Sequence, residues 1–171
     1  TKGKTGPNPL AGAPGDGMVR ALLREPADRS MSQTVRIALD AMGGDHGPDV
    51  VLAGAALALE RHPDVRFLVY GDEAAVRPVL DRHPALGPVT ELRHADVSIR
   101  MDERPSQALR IGRNKSSMWL AIQAVRDDEA DICVSAGNTA ALMGMSMFYL
   151  KTRPEIDRPA IPAIWPTIGG E

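Results

Sequence analysis

Residues 39–48 read LDAMGGDHGP. Asp40, Gly43, Gly44, Asp45 and His46 follow an apolar run there, and Pro48 with Asp49 suits the opening of a helix. Glycines let a backbone take positive φ and approach a ligand closely. The helix N-terminus behind them offers unpaired N–H groups that favour an anion such as phosphate. An ordinary strand-to-helix turn capped by Asp needs the same residues, so local sequence leaves both readings open. The stretch is neither a GxxxxGK[ST] loop nor a GxGxxG fingerprint, and it carries no nucleotide signal. His46 has no partner at metal-ligand spacing and reads as an exposed turn residue.

Ser135, Gly137, Asn138 and Thr139 form a second cluster, SAGNTA. A glycine turn running into a helix, with hydroxyl and amide side chains, can hold an anion or an oxyanion by hydrogen bonds. Asn138 or Thr139 equally serves as an N-cap, and the two roles can coexist. Ser135 lacks a GxSxG elbow, which argues against a hydrolase nucleophile. The third cluster is RPSQALRIGRNKSSM, 104–118, where Arg104, Arg110, Arg113 and Lys115 have few acids near them and Ser116 and Ser117 open a helix. It can bind an anion, dock an acidic partner or form a solvated basic face.

These clusters need elements to position them. TVRIALD (34–40), VRFLVYG (65–71) and DICVSAG (131–137) read as strands, and TELRHAD (90–96) as a weaker one. Helices are expected over 48–62, 73–83 and 116–130, with a buried helix over 138–150. PAIPAIW (159–165) reads as a further strand, at an edge or an entry to the sheet because of its two prolines. Continuously apolar strands alternating with helices predict a mostly parallel sheet covered on both faces. Ligands of such sheets sit outside the carboxyl ends of the strands, so the two glycine turns should share one edge.

The bulk numbers fit that reading. The chain has 171 residues, 43% hydrophobic and 25% charged, as a globular domain requires. Aromatics are only 4%, so the core must be built from aliphatic side chains. A net charge of −2 gives no global attraction to nucleic acid. Cys133 is the one cysteine, which excludes an internal disulfide and is compatible with a reducing cytosol. No apolar run is long enough to span a bilayer. Residues 1–30 are Gly/Pro-rich, with a possible short helix at MVRALLRE, and read as a disordered leader or non-native extension. The closing IPAIWPTIGGE reads as a strand and its turn, so 31–171 is expected to be the amino-terminal part of a larger α/β domain.

DAMGGDHGP, KSSM, SAGNTA and DRPAIPAIWPT occur in that order. Together they resemble the bacterial PlsX family, the phosphate acyltransferases of phospholipid synthesis, from about Met31 to Glu171. The family usually has a second glycine after SAGNT, where this chain has Ala140. The resemblance implies a three-layer α/β fold like that of isopropylmalate dehydrogenases and phosphotransacetylases, here truncated, since family members are about twice as long. It implies acyl transfer from acyl carrier protein to inorganic phosphate, a homodimer, no cofactor or required metal, and a cytoplasmic enzyme with peripheral membrane contact. Phosphate is already a nucleophile, so catalysis would rest on positioning and oxyanion stabilisation. Asn138 and Lys115 are then the expected catalytic donors. Asp40, Gly43, Gly44, Asp45, Ser116, Ser117, Ser135, Gly137 and Thr139 would form the phosphate and oxyanion site, with the two aspartates orienting the loop. Arg104, Arg110 and Arg113 would dock the acidic carrier. The rivals are a non-catalytic binding half, a coenzyme A-dependent phosphotransacetylase, and a dehydrogenase, for which no dinucleotide fingerprint speaks.

Overall fold

The computed structural model describes residues 34–152 and 154–156. The expected leader (1–30) and the expected strand at 159–165 lie outside them. Strands β1 (Val35–Asp40), β2 (Val65–Gly71), β3 (Thr90–His94) and β4 (Ile132–Ser135) make one all-parallel sheet, in the order β3-β2-β1-β4. Helices α1 (Pro48–Arg61), α2 (Glu73–Leu80), α3 (Pro105–Gly112), α4 (Ser117–Arg126) and α5 (Thr139–Leu150) connect and flank them.

Side-chain alternation explains the layers. Leu39, Val65, Phe67 and Val69 pack with Leu52 and Ala55 of α1 and with Val76, Val79 and Leu80 of α2. Ala38, Leu68 and Tyr70 point the other way, onto Ala121 and Ala124 of α4. Both faces of β1 and β2 are therefore covered, which is why their sequences read as unbroken apolar runs. A third cluster joins α3, α4 and α5 through Ala108, Trp119, Ile122, Ala141 and Met145. Trp119 is 1% exposed, and its ring centroid lies 4.8 Å from that of Tyr149. Among the described residues no helix is long and apolar enough to cross a membrane.

Helix ends follow local chemistry. Pro48 opens α1 with Asp49 in its first turn, and the His62 N–H closes it on the Ala58 carbonyl. Asp72 caps α2 by accepting from the Ala74 N–H at 3.1 Å. α2 stops at Leu80, short of the expected His83, because residues 82 and 83 make i→i−3 bonds to Val79 and Leu80 before Pro84. A 3₁₀ segment, Pro84–Val89, then leads into β3.

One element is added and one expectation needs correction. The polar stretch 97–116, for which the sequence predicts no element before the helix opened by Ser116 and Ser117, contains α3, whose inward side is Ala108, Leu109 and Gly112. α5 is not a fully buried helix: Ala141 and Met145 face inward, while Met147 and Phe148 remain 39% and 47% exposed. β4 is an edge strand among the described residues, with Ile132 and Val134 half exposed.

The chain lays down β1, β2 and β3 in one direction and then returns through α3 and α4 to place β4 on the other side of β1. The order reverses between β1 and β4. A crevice at the carboxyl ends of such a pair is the standard ligand position in open parallel sheets.

The packing makes a contrast that unfolding can read. Phe67 is 2% exposed at the centre of the α1–α2 face, whereas Val50 on α1 is 57% exposed. In urea unfolding, Phe67→Ala is expected to lose about 3–5 kcal/mol. Val50→Ala is expected to stay within about 0.5 kcal/mol of wild type.

Candidate functional site

Asp40 and Ser135 are the last residues of β1 and β4 and are paired across the sheet. The Ser135 hydroxyl donates to Asp40 Oδ2 at 2.7 Å, and the Met42 N–H donates to Asp40 Oδ1 at 3.3 Å. Ser135 Oγ in turn accepts from the Gly137 N–H at 3.0 Å. One carboxylate therefore shapes both turns. Asp40 is 2% exposed. Burial pushes its carboxyl group above the ordinary aspartate value of 3.8, while the nearby Ser117 and Ser135 hydroxyls and the Met42 and Gly43 N–H groups pull it back. Ser117 Oγ is itself buried with no hydrogen bond of normal geometry among the described residues, so it acts on the carboxylate by proximity.

The glycines let the two turns touch. A Cβ on Gly43 would lie 2.8 Å from the Gly137 nitrogen and 2.9 Å from Asp40 Oδ2. One on Gly137 would lie 2.8 Å from Met118 Cε and 3.4 Å from Gly43 Cα. Gly44 has φ +83°, a conformation that favours glycine.

Asn138 is the N-cap of α5: its Oδ1 accepts from the Ala141 N–H at 3.0 Å. Its Nδ2 donates to the carbonyls of Met101 and Glu103, both at 2.9 Å, and lies 3.4 Å from that of Arg100. Thr139 begins α5 and is exposed. Ser116 is the N-cap of α4, accepting from the Trp119 N–H at 3.1 Å, and both it and Ser117 are buried. Lys115, just before them, is exposed, as are Asp45 and His46.

A cleft of about 420 Å³ opens at the β1 turn. Met42, Gly44 and Asp45 line one side, and Ile99, Arg100 and Met101 line the other. The 98–102 loop had no distinguishing mark in the sequence beyond the apolar Ile99 and Met101, and its part in the cleft is visible only in the structure. The basic cluster divides. Arg110 and Arg113 line a groove of about 340 Å³ between α3 and α5, with Trp119 and Phe148, while Arg104 sits before the first turn of α3. Burial and the neighbouring Asp40 push the Cys133 thiol up to about 12, which favours its protonated form.

The structure thus brings Asp40, Gly43, Ser135 and Gly137 into one hydrogen-bonded knot, with the buried Ser117 hydroxyl beside it. Gly44 and Asp45 face the cleft. α1 and α5 both begin at this edge of the sheet, and their first N–H groups have no intrahelical acceptor. Such an arrangement can hold a small anion by backbone dipoles.

The knot has two measurable consequences. Gly43→Ala is expected to cost about 1–3 kcal/mol through the forced contact with the β4 turn. Gly54→Ala, inside α1 with open space around it, is expected to gain about 0.5–1 kcal/mol. Urea unfolding measures both. The folded chain also keeps a proton on Asp40 to higher pH than the unfolded chain does. That stability is present below the unfolded value of 3.8 and is lost as pH rises through the folded value. Relative to Asp40→Asn, wild type should therefore lose stability as pH is raised from about 4 to about 8. Parallel stability profiles would mean that the carboxyl group is not raised.

Residues 35–171 match the family model described as "Fatty acid synthesis protein". The phosphate acyltransferase of a Chelativorans species is 62% identical over 137 residues, covering 80% of this chain and 39% of that protein. That of Xanthobacter autotrophicus is 63% identical over 141 residues, covering 82% of this chain and 40% of the relative. The Parvibaculum lavamentivorans enzyme of the same name is 56% identical over 141 residues, again 82% of this chain and 39% of the relative. The chain spans about two fifths of the length of these curated relatives. From the strand that opens at Val35 to the last residue, this chain belongs to the fatty acid synthesis protein family, that of the PlsX phosphate acyltransferases.

Proposed function

We propose that this chain carries the phosphate-holding part of an acyltransferase that moves a fatty acyl group from acyl carrier protein to inorganic phosphate, for phospholipid synthesis. The observation that carries the reading is the knot of Asp40 and Ser135, which sets two glycine turns side by side where two helices begin. A phosphate there meets backbone N–H groups and the positive ends of α1 and α5. One phosphate oxygen attacks the thioester carbon, and the carbonyl oxygen takes the negative charge of the tetrahedral intermediate. Collapse expels the carrier's thiolate, which takes a proton from solvent, and leaves the acyl phosphate. Phosphate is the nucleophile, so no side chain has to form a covalent bond. No cofactor enters the step.

Each residue then has a part. Gly44 and Thr139 present backbone N–H groups to the anion, while Gly43 and Gly137, whose N–H groups are spent on the Asp40 carbonyl and Ser135 Oγ, let the two turns close. Asp40, Ser135, Ser116 and Ser117 shape the turns from behind, and Asp45 stands at the rim of the cleft. Lys115, exposed beside the start of α4, supplies the mobile cation for the developing oxyanion. Arg110 and Arg113, which share a groove, and Arg104 attract the acidic carrier. The enzyme works as a homodimer in the cytoplasm, in peripheral contact with the membrane that receives its product.

The test is release of free thiol from acyl carrier protein by the protein at the length of its relatives. Release should require phosphate, and hydroxylamine should trap the acyl phosphate as a hydroxamate. Lys115→Ala should lower kcat about 10²-fold. Release that ignores phosphate overturns the reading. Activity confined to acyl-coenzyme A would assign a phosphotransacetylase-like reaction instead.

A further inference from the structure

We infer that Asn138 is a positioning residue: its carboxamide latches the start of α5 to the 100–103 loop, so that the cleft wall and the helix N-terminus are held as one piece. Only the kinetic arm of that inference rests on the acyl-transfer reading.

A carboxamide offers two N–H donors and one acceptor oxygen. Asn138 spends all of them inside the protein. Its oxygen takes the Ala141 N–H at 3.0 Å. Its two donors go to Met101 O and Glu103 O at 2.9 Å, with Arg100 O at 3.4 Å as a longer third neighbour. The residue is 8% exposed. A donor saturated in this way has no N–H left for an oxyanion, which turns the expected catalytic donor into a structural one.

The loop needs the latch. Residues 98–104 belong to no helix or strand. Ile99 is buried, but Arg100, Met101 and Asp102 are exposed, and the Arg100–Asp102 ion pair is open to solvent. An ion pair so exposed contributes little. Three carbonyls converging on one point would repel each other without a donor among them, and part-buried acceptors left unmade are costly. Met101 and Arg100 form the cleft wall facing Gly44 and Asp45. Asn138 stands between that wall and the first turn of α5.

Two substitutions separate the latch from the cap. Asn138→Asp and Asn138→Ser both keep an N-cap acceptor for α5. Neither can replace both donations to the loop carbonyls: serine keeps a single, shorter O–H, and the aspartate sets a carboxylate against them. In the 171-residue chain, trypsin cleavage after Arg100 should quicken about 10-fold or more in both variants, with far-UV dichroism unchanged. The bond after Arg104 precedes Pro105 and resists trypsin, so the Arg100 cut reports the loop alone. Wild-type cutting rates in natively folded variants overturn the latch.

A second measurement needs no variant to fold. The chain has three asparagines, Asn8, Asn114 and Asn138. With ¹⁵N-asparagine labelling, the Asn138 carboxamide pair should exchange with solvent far more slowly than that of the exposed Asn114. Equal rates overturn the inference. In the complete enzyme, the latch predicts that Asn138→Ser raises KM for the acyl donor more than it lowers kcat. An oxyanion donor would instead lose about 10²–10³ in kcat at constant KM. A loosened loop in a protein that shows no phosphate-dependent thiol release would leave the latch standing and sink the acyl-transfer reading.

Discussion

The hydrogen bond from the Ser135 hydroxyl to Asp40 Oδ2, 2.7 Å across the carboxyl ends of β1 and β4, is the constraint on which the candidate site depends. A carboxylate at the end of a buried strand is expensive to desolvate. It is tolerated here because donors converge on it: the Ser135 hydroxyl on one oxygen and the Met42 N–H on the other. The convergence fixes which residues of β1 and β4 stand opposite each other at the reversal of strand order. It also fixes the direction in which each chain leaves the sheet. Gly43 and Gly137 then meet at a distance that no Cβ allows.

The core is built to permit that closeness. With few aromatic residues, the α4 face of the sheet is lined by Ala38, Ala121 and Ala124. Small side chains bring α4 near β1, and the start of α4 carries Ser117 to within reach of Asp40. Bulk is placed farther out, where Trp119 fills the space between α4 and α5. Close packing at the knot and large side chains beside it are one design: a stiff floor under the turns.

Much of this was legible in the sequence because it is written in side chains. The unbroken apolar runs of β1 and β2 reflect cover on both faces, and parallel pairing follows from the helices between strands. The glycine turns declared themselves, and their common edge followed from parallel strands. α3 is hard to read because it is only eight residues long and its inward face is Ala108, Leu109 and Gly112, small and mixed among arginines. α5 looked buried because its composition is apolar on every side, whereas neighbours cover only the stripe through Ala141 and Met145. The partners of Asn138 were illegible for a different reason: they are main-chain carbonyls, and carbonyls belong to every residue type.

That last point bears on how such a site is read. Asp40, Ser135, Ser116 and Asn138 have the side chains that sequence reasoning singles out as chemical, and in the folded chain their hydrogen bonds run to the protein's own backbone and hydroxyls. What the cleft receives from this edge of the sheet is the glycine turn, Gly44 with Asp45 beside it, opposite Arg100 and Met101. Backbone N–H groups suit a small, strongly hydrated anion, since they are fixed in direction and lose no side-chain entropy on binding. They have no sequence signature except the glycines that let them come close. In a site of this kind, the polar side chains record how the backbone is held, and the glycines mark where the ligand goes.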